Sequence, residues 1–411
     1  MKDKLNAILL EINPKGNIGY KDNFLTRGYE TTAGSNVLKG YISHYSATVV
    51  DLFEKNGFVT KAKFNCDAWA HGSSGENSDF GAVKNPWNNA YTPGGSSSGS
   101  SAAVASNYTK YATGTDTGGS IRLPAAFTNS SAIKPTYGAI SRYGIVAMAS
   151  STDCPSLIAQ NVKDVEVLFK IVSREDKKDA NTFSSKRSLR GGQFKPGSLK
   201  IGLPKEYFIE GLDREVSEAV RQARQVLTED GYKIENVSLP HTKYGIAVYY
   251  LIMPVEVASN LARYDGVRYG QARSFFGEEA ERRIILGTFT SSAGYSAKYY
   301  QKAAKVRTLI IQDFDQVFKK VDVLLTPVSP TPPFKLGEKA NDPLKMYLSD
   351  VLTVNTSLAG LPSLALSCGF TKKNLPIGMQ FVGPRWSEPV LFSVGKRYQE
   401  LTDWHKRKPS I

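Results

Sequence analysis

The sequence predicts an α/β protein, because short apolar runs that read as strands alternate with amphipathic helical stretches along the 411 residues. Two segments carry this reading. Leu199 to Leu203 reads as a strand. After a loop, Asp213 to Leu227 sets Val216, Ala219, Val220, Ala223, Val226 and Leu227 on one helical face, with Asp213 as N-cap and Gly231 as stop. Farther on, Ala304 to Lys319 places Val306, Leu309, Ile310, Phe314, Val317 and Phe318 on one stripe, and Val321 to Leu325 follows as a buried strand. Pro327, Pro330, Pro332 and Pro333 then close that strand in a stiff loop. Such stripes are core-facing surfaces rather than cofactor boxes.

At 41% hydrophobic residues the chain can bury a large core. Its apolar runs fall short of the roughly 18 residues that cross a bilayer, and its first residues show neither a secretory nor a transit-peptide pattern. Cys66, Cys154 and Cys368 are far apart and lack CxxC spacing, which argues against a disulfide framework and a zinc site. His44, His71, His241 and His405 are scattered too, so no metal is expected. With so few histidines, a serine nucleophile would turn to lysine as its base. The formal charge of +14 suggests an anionic neighbour such as nucleic acid or an acidic subunit. Lys177, Lys178, Lys186, Arg187, Arg190, Lys195 and Lys200 form one basic stretch, and Lys406, Arg407 and Lys408 a basic tail. Neither comes with a nucleic-acid-binding motif, so solvated surface is the simpler reading.

Chemistry concentrates between Pro93 and Pro124, in PGGSSSGSSAAVASNYTKYATGTDTGGSIRLP. Glycines let the backbone turn sharply and approach a substrate, and hydroxyls offer a nucleophile. A flexible linker would continue as polar low complexity, whereas Ala102 to Ala105 and Ile121 to Phe127 are apolar and abut the turns. There is no GxxxxGK[ST] phosphate loop and no dinucleotide-binding glycine pattern, so ATP hydrolysis is not expected of this chain. Arg174 to Pro196, rich in charge and glycine, reads as a surface crossing between two lobes of one fold.

Three pieces in order, Lys21-Asp22-Asn23, Gly94-Gly95-Ser96-Ser97 and Asp116-Thr117-Gly118-Gly119-Ser120-Ile121-Arg122, resemble the amidase signature family. The separations 96−21=75 and 120−96=24 match that family. GSSGENSDFGAVKNPWN and IKPTYGAISRYGIVAMASSTD join and follow the pieces. RRIILGTFTSSAGY, KVRTLIIQDFDQVF and DVLTVNTSLAGLPSLALSCG narrow the likeness to the A subunits of glutamyl-tRNA(Gln) amidotransferases. The resemblance implies one domain over residues 1–411 with a large mixed sheet flanked by helices on both faces. Its signature core would lie at about 15–170 and a second lobe with the substrate clamp at about 200–400.

By position the resemblance implies Ser120 as nucleophile, Ser96 on a cis peptide as proton relay and Lys21 as base. Lys21 must then be buried near Ile18 and Phe24 to lose its charge. Backbone N–H groups of Thr117, Gly118, Gly119 and Ser120 would form an oxyanion hole. Arg283 would hold the carboxylate of glutamine and Asp350 its ammonium, with Tyr249, or the adjacent Tyr250, alongside. Ammonia would pass to a B subunit, kinase and transamidase, with its own ATP and magnesium. Glu-tRNA(Gln) and a small C- or F-type subunit would complete the complex. The basic balance points to the mitochondrial matrix, with a bacterial cytoplasm as alternative. Two departures stand out: Ser98 replaces a usual glycine and is expected to crowd its loop, and only 20 residues precede Lys21, which leaves the cover of that edge to a partner. The rival readings are a stand-alone amidase, which needs no zwitterion clamp, and a catalytically silent scaffold.

Overall fold

A computed structural model describes residues 3–183, 199–208, 210–267 and 271–410. Among these, eleven strands form one mixed sheet: β1 (Ile8–Glu11), β2 (Ile18–Lys21), β3 (Thr60–Phe64), β4 (Tyr111–Asp116), β5 (Ser131–Lys134), β6 (Cys154–Ala159), β7 (Lys200–Pro204), β8 (Lys233–Val237), β9 (Val323–Pro327), β10 (Ser363–Phe370) and β11 (Pro376–Val382). Their order is β1-β3-β2-β4-β6-β5-β10-β11-β9-β7-β8. The middle, from β4 to β9, is antiparallel, and β2 with β3 and β4, and β7 with β8 and β9, add parallel pairs on either side.

Alternation of side chains across the strands divides the core. Ile133, Leu157, Val323, Leu325, Leu364, Leu366, Met379 and Phe381 point to one face. There they meet the helices Thr48–Lys55, Val162–Val172, Arg214–Glu229 and Glu388–Leu401. Their neighbours Ala132, Ile158, Leu324, Ala365 and Val382 point to the other, covered by Ser98–Ala105, Arg122–Thr128, Gly245–Leu261 and Lys302–Val317. The strands are thus apolar on both faces, as a sheet sandwiched between helix layers requires.

The predicted strand at Leu199 to Leu203 is β7, shifted by one residue, and Val321 to Leu325 is β9, shifted by two. The helix Arg214–Glu229 begins as read: the Asp213 side chain accepts from the backbone N–H groups of Glu215 and Val216, and Gly231 follows with φ +94°. The second stripe needs a correction. Ala303, Ile310, Phe314 and Val317 are its buried residues, while Leu309 is 39% exposed. Leu309 sits one residue, about 100° of helix, from Ile310, so it turns out of the seam. Of the crossing segment Arg174 to Pro196, residues 184–196 lie outside the described residues, and Lys186, Arg187, Arg190 and Lys195 with them. Its start is anchored rather than loose, since Arg142 pairs with Asp179 at 2.8 Å and Ser141 donates to Asp176 at 2.6 Å. All three cysteines are free and buried. The Lys21 strand is not an edge: β3 and then β1 lie outside it, so the chain itself covers it. Among the described residues no helix is long and apolar enough to cross a membrane.

Candidate active site

Three chain turns converge at the ends of β2 and β4. Lys21, the last residue of β2, is fully buried, and its Nζ lies 2.7 Å from Ser96 Oγ and 2.8 Å from Thr115 Oγ1. Ile18 and Phe24 are buried beside it in the chain. Burial pushes the Lys21 amine down to about 8, against the opposing pull of Cys66, Asp67, Asp153 and Asp116. Desolvation of the charged form wins here because no carboxylate among the described residues makes an ion pair with it. The charge of the neighbouring Asp22 is taken by Lys63 at 3.0 Å instead.

Ser96 follows a cis Gly95–Ser96 peptide and precedes the helix Ser98–Ala105. Gly95 is required by space: a Cβ there would lie 2.0 Å from Asp67 Oδ2 and 2.7 Å from Gly75 N. Asp67, fully buried, accepts from the N–H groups of Gly75 at 3.1 Å and Asn77 at 2.9 Å and thereby shapes the wall beside Ser96. Its carboxyl is pushed up to about 6 by burial, which those backbone bonds oppose. The crowding expected at Ser98 is relieved by Gly75, where a Cβ would come within 2.6 Å of Ser98 Cβ.

The strand β4 ends at Asp116, and Thr117 to Ser120 turn into the helix Arg122–Thr128. Two stitches hold this turn against the first: Ser97 N–H donates to the Ser120 carbonyl at 3.0 Å, and Ser97 Oγ donates to the Thr115 carbonyl at 3.2 Å. Ser120 itself is 9% exposed. Its hydroxyl makes no hydrogen bond among the described residues, so the Lys21–Ser96 link is formed and the Ser96–Ser120 link is not. The N–H groups of Gly118, Gly119 and Ser120 likewise find no acceptor among the described residues, while Thr117 Oγ1 donates to Asp153 at 2.8 Å. Gly119 has φ +146°, and a Cβ there would meet Thr353 Oγ1 at 2.4 Å. Thr353 Oγ1 in turn donates to the Gly118 carbonyl at 2.6 Å.

Beneath the turn lies a buried ion pair that sequence reading missed. Arg122 grips Asp116 with Nε and Nη2, each at 2.9 Å, and reaches Thr356 Oγ1 at 2.6 Å, Gln380 Oε1 at 3.0 Å and Ser357 Oγ at 2.9 Å. Burial would raise the Asp116 carboxyl, but the Arg122 charge holds it below its ordinary value. Arg122 belongs to the third motif piece; only its distant partners, more than 230 residues away, reveal what it does.

Two of the three expected clamp residues, Tyr249 and Asp350, meet the same turn. Tyr249 is buried against Gly118, whose added Cβ would lie 2.8 Å from the Tyr249 hydroxyl. Asp350 lies by Gly119 and accepts from Ser73 Oγ at 2.6 Å. Burial pushes its carboxyl up to about 7, with the Ser73 bond and the Arg283 charge pulling the other way. Arg283, on the helix Glu278–Ser291, is 4% exposed and donates through Nε to Glu279 at 2.8 Å. Burial disfavours its charge, yet Glu279 holds it firmly protonated. Its guanidinium lies 5.5 Å from the Tyr250 ring centre and 5.9 Å from that of Tyr347, so both adjacent tyrosines belong to the region. Arg283, Glu279, Tyr347, Ser73 and His71 line a cavity of about 190 Å³. Glu279 was legible as the residue four before Arg283 on a helix; Tyr347 and His71 carried no such signal. Among the described residues no group of three His, Cys, Asp or Glu side chains is arranged to hold a metal ion.

The family model described as Amidase matches residues 17–392. The chain is 48% identical over 411 residues to the A subunit of the glutamyl-tRNA(Gln) amidotransferase of Myxococcus xanthus, covering 96% of this chain and 85% of that protein. It resembles the crystal structure of the glutamyl-tRNA(Gln) amidotransferase A subunit of Thermotoga maritima with a TM-score of 0.83 and 40% identity, over 94% of this chain and 86% of that one. A Kluyveromyces lactis allophanate hydrolase shares the fold at a TM-score of 0.83 and 29% identity, over 94% of this chain and 62% of that one. The chain therefore belongs to the amidase family, in the group that holds the A subunits of glutamyl-tRNA(Gln) amidotransferases.

Proposed function

We propose that this chain is the glutamine-hydrolysing subunit of a glutamyl-tRNA(Gln) amidotransferase, releasing ammonia for conversion of Glu-tRNA(Gln) to Gln-tRNA(Gln). The observation that carries the chemistry is the fully buried Lys21 amine, shifted to about 8, at 2.7 Å from Ser96 Oγ. A neutral amine there accepts the Ser96 proton, and Ser96 accepts that of Ser120 once the Ser120 hydroxyl rotates toward it. Ser120 Oγ then bonds to the side-chain amide carbon. The carbonyl electrons move onto its oxygen, where the open N–H groups of Gly118, Gly119 and Ser120 receive the charge. As the tetrahedral adduct collapses, the C–N bond breaks and the proton on Lys21 returns through Ser96 to the leaving nitrogen, giving ammonia and an acyl-serine. Water, activated by the same relay, hydrolyses the ester to glutamate.

Arg283 and Asp350 supply one cation and one anion for the two ends of a zwitterion, which favours glutamine over the simple amides of a stand-alone amidase. ATP and magnesium chemistry we assign to a B subunit, with a small C- or F-type subunit completing the assembly. The charge of +14 supports a mitochondrial-matrix setting, and the bacterial source of the two A-subunit relatives named above supports a bacterial cytoplasm; cell fractionation decides between them.

The test is ammonia release from glutamine by the chain with its co-purifying partners. Ser120→Ala and Lys21→Ala are expected to lower kcat by about 10³ or more. Undiminished release in both variants would refute the mechanism.

A further inference from the structure

His71 is fully buried, yet neither Nδ1 nor Nε2 has a hydrogen-bond partner among the described residues. Buried polar atoms are nearly always paired, so two open ones on a single ring call for a ligand. The backbone at this point is fixed, since Asn77 Nδ2 donates to the His71 carbonyl at 2.6 Å. His71 lines the cavity that also contains Arg283 and Ser73. Burial, and then the Arg283 charge, hold the imidazole well below its ordinary value, so the ring is neutral and carries one N–H donor and one acceptor.

The Arg283 end of the cavity needs such a donor. Its Nε is already given to Glu279, whose carboxylate offsets much of the guanidinium charge. An anion arriving there meets a partly neutralised arginine. Another open atom on this wall, Glu76 Oε2, is an acceptor and therefore does not suit a carboxylate. We infer that His71 contacts the substrate, donating a hydrogen bond to the α-carboxylate of the amino-acid amide that Arg283 holds. This deepens, and rests on, the glutaminase reading.

The test compares wild type with His71→Leu and His71→Gln in the full chain with its co-purifying partners, using glutamine and 4-aminobutanamide, which lacks the α-carboxylate. Loss of one hydrogen bond to a charged group is expected to raise the KM for glutamine about tenfold or more in His71→Leu, with kcat little changed. His71→Gln, which keeps an N–H donor, recovers part of that loss, and 4-aminobutanamide is turned over alike by wild type and His71→Leu. Thermal unfolding of both variants is measured alongside and is expected to match wild type. An unchanged KM in His71→Leu, or an equal loss for both substrates, overturns the inference while leaving the glutaminase reading intact. A wild-type protein that releases no ammonia from glutamine overturns both.

Discussion

In the proposed mechanism Lys21 sets the pH at which the site works. Its amine must be neutral to accept a proton, and burial brings it down to about 8. The active fraction therefore grows as pH rises through that value. Asp350, pushed up to about 7, must in the same proposal be ionised to hold the ammonium, so it acts in the same direction one step lower. We expect kcat/KM for glutamine to climb about a hundredfold per pH unit below both values, about tenfold per unit between them, and to level off above about 8. Asp350→Asn should raise KM and remove the lower of the two steps while leaving the upper one. A profile flat between about pH 6 and 9 would exclude Lys21 as the base. Stability should respond above that range, with a definite sign. An amine whose folded value is depressed binds fewer protons in the folded state, so its burial weakens the fold most below pH 8, and that cost fades as pH rises toward 10.5.

At the scale of elements, the two serine turns work because glycines let other groups come close. Gly95 is the strictest of these, with Asp67 Oδ2 2.0 Å from where a Cβ would stand. Gly95→Ala is expected to destabilise the protein by about 1–3 kcal/mol, as overpacking does, and to abolish most activity because Ser96 is the next residue. Thermal unfolding and ammonia release measure the two effects separately. Far from the site, Asp213 caps Arg214–Glu229 through the N–H groups of Glu215 and Val216. Asp213→Ala should cost about 1 kcal/mol and leave kcat unchanged. If urea unfolding detects no loss, the cap contributes nothing. The helix and its cap were legible in sequence because capping is local, a side chain meeting N–H groups two and three residues on. Leu309 was misread for the opposite reason: which side of a broad apolar stripe is covered depends on the partner surface, and sequence does not contain it.

Across the whole molecule, the ion pair of Arg122 and Asp116 ties the Ser120 turn to the Thr353–Ser357 region and to Gln380 on β11. Both partners are fully buried. Arg122→Met leaves an uncompensated carboxylate in the core and is expected to cost about 3–5 kcal/mol in urea unfolding, with activity falling as the turn loosens. Arg122→Met combined with Asp116→Leu should recover part of the stability; a double variant no better than the single one would show that the buried charge was not the problem. The sequence by itself determined the α/β class, the helix Arg214–Glu229, and the order and spacing of Lys21, Ser96 and Ser120. These are encoded in local periodicity and in short glycine-serine turns whose backbone has few alternatives. Only the tertiary structure decided that Arg122 anchors the Ser120 turn, that Gly75 makes room for Ser98, that Tyr250, Tyr347 and His71 gather around Arg283, and that the Lys21 amine is depressed. Each of those depends on the desolvation and proximity of groups far apart in the chain, and such terms exist only once the sheet has brought them together.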